Sequence, residues 1–334
     1  MIVSFAIETS CDETAIAIVD NKGTVIAESL ISQNHQEYGG VYPEYAARQH
    51  NKIIAPMINQ MFAQSNLTWN DIDIISSTVG PGLIGGLVIG VMVAKSIAMV
   101  LEKPFIAVNH LEAHLLTVRL KKKVPFPFLT LLVSGGHTQI MYSKGIGNHI
   151  KIGSTLDDAV GECFDKVAKM LSIPYPGGPV IEKLASMGDE NYFAMPRPLF
   201  GKNDYDFSFS GLKTHVRSLI QKIGILNDVD KNNICASFQK CISDILIDRV
   251  NNSLQKLSQS KVNFIVVSGG VASNLYIRDK MTDFFKINKN IDVIFPPIRF
   301  CTDNAVMVGW AGIENYSVGL QSNLSQAPQP RLKL

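Results

Sequence analysis

The sequence predicts an α/β chain made of two lobes of similar plan, and three observations carry that reading. The chain has 334 residues, more than one hydrophobic core usually supports, so two domains are the natural division. A pattern of strand, polar turn and strand occurs twice, at 5–19 and at 130–142, with a threonine ending each turn. Between and after these hairpins, buried-strand patterns alternate with helical ones. Two lobes that each contribute a turn to a shared cleft are expected.

The first hairpin turns through Glu8-Thr9-Ser10-Cys11-Asp12-Glu13-Thr14. Residues 44–64 have helical periodicity, 72–79 read as a buried strand and Gly80-Pro81-Gly82 as a tight loop. A helix follows over about 87–101, then a strand at 105–108 and a short helix carrying two histidines. The second hairpin turns through Ser134-Gly135-Gly136-His137-Thr138. Beyond it, 155–172 is expected to be an amphipathic helix. Leu156, Val160, Phe164, Val167 and Leu171 form its stripe, and Thr155 with Asp158 resembles a capping box. The proline-rich run 174–179 breaks that helix. A second long helix over 231–257 leads to a strand at 264–267, a glycine turn at 268–270 and a further helix. A glycine turn between strand and helix places N–H groups at a helix N-terminus, where anions bind.

Apolar residues make up 46% and charged residues 18%, the balance of a well-packed globular protein. A net charge of +2 excludes a surface that binds polyanions everywhere and leaves room for a local basic face. Arg119 to Lys123 is one such cluster; its plainer reading is a solvated charge run that closes a helix before Pro125. The most apolar window, 83–101, is glycine-rich and interrupted by Lys95, so it reads as a buried helix and no membrane span is expected. The chain runs into a strand without a basic leader, and its five cysteines form no CxxC. A reduced, cytoplasmic compartment is the expectation.

Two motifs carry chemistry. In Asn109-His110-Leu111-Glu112-Ala113-His114 the histidines stand four apart, so on a helix both imidazoles can reach one metal ion. The alternative is that they are ordinary helix-face residues. The zinc peptidase motif H-E-x-x-H places glutamate beside the first histidine. Here Glu112 is rotated about 200° from His110, which takes it off the metal face. The second motif is the glycine pair, found at 135–136, 177–178 and 269–270. Each alone is an ordinary turn; together they suggest one nucleotide approached from several sides. Neither a P-loop nor a dinucleotide fingerprint occurs, so lysine-assisted triphosphate hydrolysis and dinucleotide binding are disfavoured. By spacing alone, Asp165 lies on a polar helix face and Asp303 opens a helix as a charge favoured by the dipole.

These segments, with 161–166, 206–213, 268–274 and 301–304, resemble the universal tRNA threonylcarbamoyladenosine-forming family in its bacterial or organellar type, whose catalytic subunit was once labelled O-sialoglycoprotein endopeptidase. The resemblance runs in order through nearly the whole chain. It implies the fold of actin, hexokinase and the heat-shock chaperone ATPases: two RNase-H-like lobes around a nucleotide cleft. The lobes would be 1–125, with the histidine helix, and 126–334, with a helical insertion and a last helix packed back on the first lobe. It implies that His110, His114 and Asp303 hold one divalent ion per subunit, iron(II), and that Leu132, Val133, Ser134, Gly135, Gly136, Asp165, Gly178 and Asn274 bind threonylcarbamoyl-adenylate. Some relatives carry aspartate where Glu182 stands, so that position is not assigned.

The implied reaction transfers the threonylcarbamoyl group to N6 of adenosine-37 in tRNAs reading codons that begin with A, with release of AMP. Asp12 or Glu13 could accept the amine proton; Cys11 and Cys163 are expected to pack. The implied partners are tRNA, an inactive paralogue of the same fold and a P-loop ATPase subunit, with dimerisation left open. The runner-up functions are a metallopeptidase and a non-catalytic, ATP-binding actin-like scaffold.

Overall fold

The computed structural model describes residues 1–38, 40–258, 260 and 262–334. Its contacts divide the chain into two units. One comprises Met1–Val124, Ile146–Asn148 and Asp303–Leu334; the other comprises Pro125–Gly145 and His149–Thr302.

In the first unit, strand β1 (Val3–Glu8) is buried from end to end because it is the middle strand of five with both faces covered. It pairs antiparallel with β2 (Glu13–Asp20), which pairs antiparallel with β3 (Val25–Ser32). On its other edge β1 runs parallel to β4 (Ile74–Gly80), and β4 parallel to β5 (Phe105–Asn109). Parallel neighbours need crossovers, and the helices α1 (Pro43–Ser65) and α2 (Ile84–Val100) supply them. Side chains of β1 alternate between the faces. Val3, Phe5 and Ile7 enter a core with Ile54, Met57 and Met61 of α1 and Val91 and Ala94 of α2.

Ser4 and Ala6 face the other way, beneath α9 (Ala305–Ser317). A Cβ added at Gly309 would lie 3.2 Å from that of Ala6, and one at Gly312 would strike Ser76 Oγ at 2.0 Å. The two glycines let the α9 backbone descend onto small residues, and the Ser4 and Ser76 hydroxyls satisfy each other beneath it at 2.9 Å. After α9 the chain straps the sheet edge. Gln329 N donates to Val79 O at 2.7 Å, and Asn109 Nδ2 donates to Lys333 O at 3.2 Å. The expected solvated run at Arg119 to Lys123 is corrected at its first residue. Arg119 Nε turns inward to the Glu314 carboxylate of α9 at 2.9 Å, while Lys121, Lys122 and Lys123 stay exposed.

The second unit repeats the plan. Strands β6 (Phe128–Val133), β7 (Thr138–Gly145), β8 (Asn148–Ser154), β9 (Phe264–Ser268) and β10 (Asp292–Ile294) lie in the order β10-β9-β6-β7-β8. Read from the other edge, that is the order of the first sheet. Again the opening hairpin is antiparallel, and the strands that join later (β9 on β6, β10 on β9) are parallel. The core under this sheet includes α4 (Val160–Met170), α5 (Gly177–Ala185), α6 (Ser210–Ile223), the 29-residue α7 (Asp228–Lys256) and α8 (Leu275–Lys289).

The helix expected from 155 begins only at Val160. Thr155 instead bridges to Phe207 as extended backbone, and its hydroxyl donates to Asp158 O at 2.6 Å. The first amide of α4 is satisfied from another element: Val160 N donates to Thr138 Oγ1 of β7 at 2.8 Å. The resemblance of Thr155 and Asp158 to a capping box was therefore misleading, because a tertiary partner took the role.

Candidate functional site

In the first unit, β5 ends at Asn109, whose side chain accepts from Leu111 N at 2.8 Å and Glu112 N at 3.4 Å. This N-cap starts α3 (His110–Leu116) at the sheet edge and fixes the direction of both histidines. Their rings stand perpendicular, with centroids 4.8 Å apart. Asp303 precedes Asn304, the N-cap of α9, whose Oδ1 accepts from Met307 N at 2.9 Å. The Asp303 carboxylate does not merely complement the helix dipole. It lies 3.0 Å from His114 Nε2 and 3.5 Å from His110 Nε2.

His110, His114 and Asp303 are the one group of three or more such ligands that could hold a metal ion among the described residues, with donor atoms all within 4.8 Å of one another. Donors bonded to one ion at about 2.1 Å stand roughly 3.0–3.4 Å apart; the Asp303–His114 separation of 3.0 Å falls in that range and the Asp303–His110 separation of 3.5 Å lies just beyond it. Two imidazoles and a carboxylate with open positions are also the donor set of non-haem iron(II) sites. In the metal-free protein, burial works against a charged His110. The carboxylates of Asp303 and Glu8 outweigh it and raise the ring to about 9. A metal ion must displace that proton to bind.

Glu112 is engaged elsewhere, as its rotation on the helix requires. Its Oε1 accepts from Gly147 N at 2.7 Å and its Oε2 from Asn315 Nδ2 at 3.3 Å. The turn carrying Asp12 and Glu13 is held from two sides. Leu83 N donates to Ser10 O at 2.7 Å, and His50 Nε2 donates to Cys11 O at 3.0 Å. Burial pushes the Glu13 carboxyl well above its ordinary range, and the charges of Asp303 and Asp12 add to the shift. Burial likewise raises the thiols, Cys11 strongly and Cys163 to about 12, so neither is a ready nucleophile.

In the second unit, Leu132 and Val133 are fully buried at the end of β6 and offer only backbone to a ligand. The turn closes on itself: Ser134 N donates to His137 O at 2.8 Å, and His137 N to Ser134 Oγ at 3.1 Å. Gly135 and Gly136 are exposed, and a Cβ at either would meet nothing within 4 Å. The glycine turn at 269–270 and the first turn of α4 pack against this one. A Cβ at Gly269, whose φ is +97°, would lie 2.3 Å from Val133 O, and one at Gly161 in α4 would lie 2.6 Å from Ser134 O. Further along α4, Asp165 Oδ1 accepts from Gly177 N at 2.9 Å, fixing the start of α5 beside the open Gly178. Asn274 caps α8 through Ile277 N at 2.9 Å and donates to Gln239 Oε1 at 2.8 Å. Glu182, left unassigned from sequence, accepts from Leu275 N at 2.6 Å at the same helix start.

Sequence reasoning missed Glu8 and His50. Glu8 is an acid ending a strand that is apolar but for Ser4, a signal that was present and unused. His50 stands four residues from both Ala46 and Ile54 on the buried face of α1, and a histidine in an apolar stripe is the signal that was passed over.

Two five-stranded mixed sheets of one strand order, flanked by helices, make this an α/β protein of the actin-like ATPase fold. Full-length HypF in its phosphate- and nucleotide-bound form superposes with a TM-score of 0.60 at 12% identity, over 95% of this chain and 47% of that one. The (R)-2-hydroxyglutaryl-CoA dehydratase component A of Acidaminococcus fermentans gives 0.55 at 14% identity, over 95% and 100%. Likeness at such identity shows the fold alone.

The particular family comes from sequence. The family model of tRNA N6-adenosine threonylcarbamoyltransferase matches residues 24–310. The chain is 50% identical over 332 residues to the tRNA N6-adenosine threonylcarbamoyltransferase of Wolbachia sp. subsp. Brugia malayi (strain TRS), covering 98% of each. It is 48% identical over 335 residues to that of Ehrlichia canis (strain Jake), covering 99% of this chain and 95% of the relative. The chain belongs to the tRNA N6-adenosine threonylcarbamoyltransferase family and is an acyltransferase. Neither the metallopeptidase nor the scaffold reading finds support.

Proposed function

We propose that the chain transfers the threonylcarbamoyl group of threonylcarbamoyl-adenylate to N6 of adenosine-37, in tRNAs that read codons beginning with A. The observation that carries this reading is the His110–His114–Asp303 cluster, which closes across 189 residues of a chain in this family. The N6 lone pair attacks the carbamoyl carbon, the bond from that carbon to the phosphate oxygen breaks, and AMP leaves with the electron pair. The open backbone at Gly135 and Gly136 suits the charge growing on that phosphate. Asp165 and Asn274 act by holding the neighbouring glycine turn and helix start in place, and Gly178 leaves room for the ligand. Asp12 or Glu13 takes the amine proton; that Asp303 and Asp12 both act on Glu13 supports their nearness to the cluster. When bound, a divalent ion held by His110, His114 and Asp303, iron(II) in this reading, supplies Lewis-acid polarisation of the electrophile.

The acceptor base belongs to an RNA loop, where bases can be splayed out for reaction. In this reading the metal belongs to the lobe drawn at 1–125 with α9 returned to it, and the adenylate to the remainder of 126–334. An apolar stripe on α2, with Ile84, Val88, Met92 and Met99 at 40–63% exposure, supports a helix-packing protein partner such as the inactive paralogue; a P-loop ATPase subunit completes the proposed set. No described helix is long and apolar enough to cross a membrane, and a tRNA substrate favours the cytoplasm. The test is mass spectrometry of nucleosides from unmodified tRNA incubated with the protein, its partners and the adenylate. Threonylcarbamoyladenosine and AMP should form in equal amounts. The same product rate from the partners alone refutes the assignment.

A further inference from the structure

We propose that Glu8 is a positioning residue for the metal centre: it orients His110 so that the imidazole presents Nε2 to the ion. The inference rests on the metal reading of the His110–His114–Asp303 cluster and deepens it.

Glu8 is fully buried at the end of β1, on the same side of the strand as Ser4 and Ala6. Its Oε1 accepts from Ser10 N at 2.6 Å, and its Oε2 accepts from the Thr78 hydroxyl. Two elements therefore fix the carboxylate before His110 is considered. The same Oε2 lies 3.3 Å from His110 Nδ1, and Ser10 Oγ lies 3.1 Å from that nitrogen. On the opposite side of the ring, Nε2 faces Asp303 at 3.5 Å.

The chemistry of the acceptor decides the tautomer. A serine hydroxyl can donate or accept, so Ser10 leaves the question open. An ionised carboxylate only accepts, so Nδ1 must carry the hydrogen that faces Glu8. Nε2 then has its lone pair directed at the site of the ion. The other neutral tautomer would aim an N–H at the metal position and leave Nδ1 against a carboxylate with nothing to donate. The arrangement is that of a carboxylate–histidine–metal relay, in which the outer carboxylate fixes ring orientation and makes the ligand more basic.

A second observation points the same way. Among the described residues no lysine or arginine pairs with Glu8, and its one ion-pair partner is His110. A buried carboxylate without a cation is costly, so the compensating charge has to come through His110. Thr78 and Ser10 supply hydrogen bonds but no charge.

The test uses the full chain stripped of metal by chelation, with cobalt(II) as the probe. Native protein, Glu8→Ala, Glu8→Gln and His110→Ala are titrated in competition with a chelator, and the visible bands of bound cobalt are recorded. His110→Ala should lose the bands. Glu8→Ala should weaken cobalt binding by about 10- to 100-fold. Glu8→Gln keeps an acceptor oxygen and loses the charge, so it should bind with intermediate affinity and displaced bands; it carries the test if the alanine variant does not fold. Native affinity and native bands in a folded Glu8 variant overturn the inference while the metal reading stands. Equal cobalt binding by native protein and His110→Ala overturns the metal reading, and the inference with it.

Discussion

Replacing Gly269 by alanine and Gly136 by valine separates the glycines that the fold needs from those that a ligand needs. Gly269 has φ +97° and ψ 168°, a region closed to side chains, and its Cβ would lie 2.3 Å from Val133 O and 2.7 Å from Val133 C. Holding a non-glycine residue there costs about 1–3 kcal/mol. Relieving the overlap with backbone adds about 1–3 kcal/mol. At about 2–4 °C per kcal/mol for a unit of this size, a midpoint of about 4 kcal/mol lowers the melting temperature by roughly 8–16 °C. At Gly136 an added Cβ meets nothing within 4 Å, so Gly136→Val should change stability by no more than about 0.5 kcal/mol. Its branched side chain would nevertheless fill the space over the turn, and AMP affinity should fall at least tenfold, about 1.4 kcal/mol. Differential scanning calorimetry and titration calorimetry with AMP measure both effects. If Gly136→Val melts as early as Gly269→Ala, the steric reasoning fails. If it melts and binds AMP like the native protein, the turn is not the adenylate site.

Three further outcomes follow from the geometry. His110→Ala and His114→Ala should each purify without stoichiometric metal and lose transfer activity while keeping the native circular dichroism spectrum; full activity in a metal-free double variant would refute the metal assignment. Metal-loaded protein should leave casein intact, because both Glu112 oxygens are engaged by Gly147 and Asn315; release of peptides above a chelated control contradicts this. Asp157 is partly desolvated, which favours its neutral form. Bonds from Phe209 N, Ser208 and Ser210 outweigh this and hold its pKa below the ordinary carboxylate value. Its contribution is therefore full above about pH 4 and lost as pH falls through the depressed folded value. Asp157→Asn should melt earlier than native protein near pH 6, with the gap narrowing toward pH 3; a constant gap refutes the linkage.

The two central hairpins and the buried strands at 72–79, 105–108 and 264–267 were legible in the sequence because their signals are local; β3, β8 and β10 were not. Alternating apolar residues broken by polar or glycine turns gave both central hairpins, and the four-residue spacing of His110 and His114 placed them on one face. What stayed hidden was set by partners distant in the chain. Thr155 looked like a cap because only its neighbours were visible, whereas Thr138, at the start of β7, holds Val160 N. Arg119 looked solvated until α9 brought Glu314 beside it. Asp303 looked like a dipole charge, and only tertiary folding sets it against two imidazoles 189 and 193 positions earlier. The resemblance to a family supplied that convergence in advance; no period or spacing in the chain could have done so.

That the first unit is closed by Asp303–Leu334 has a consequence for the order of events on the ribosome. His110 and His114 are synthesised early, but the carboxylate that joins them emerges 189 residues after His114, roughly 10–40 s later at about 5–20 residues per second. During that interval the whole Pro125–Thr302 stretch is made, and its second sheet has all its own strands before the first unit has its last helix. A nascent chain thus carries two imidazoles without their carboxylate throughout that interval. An ion that needs all three ligands can therefore be held only once residue 303 has been made.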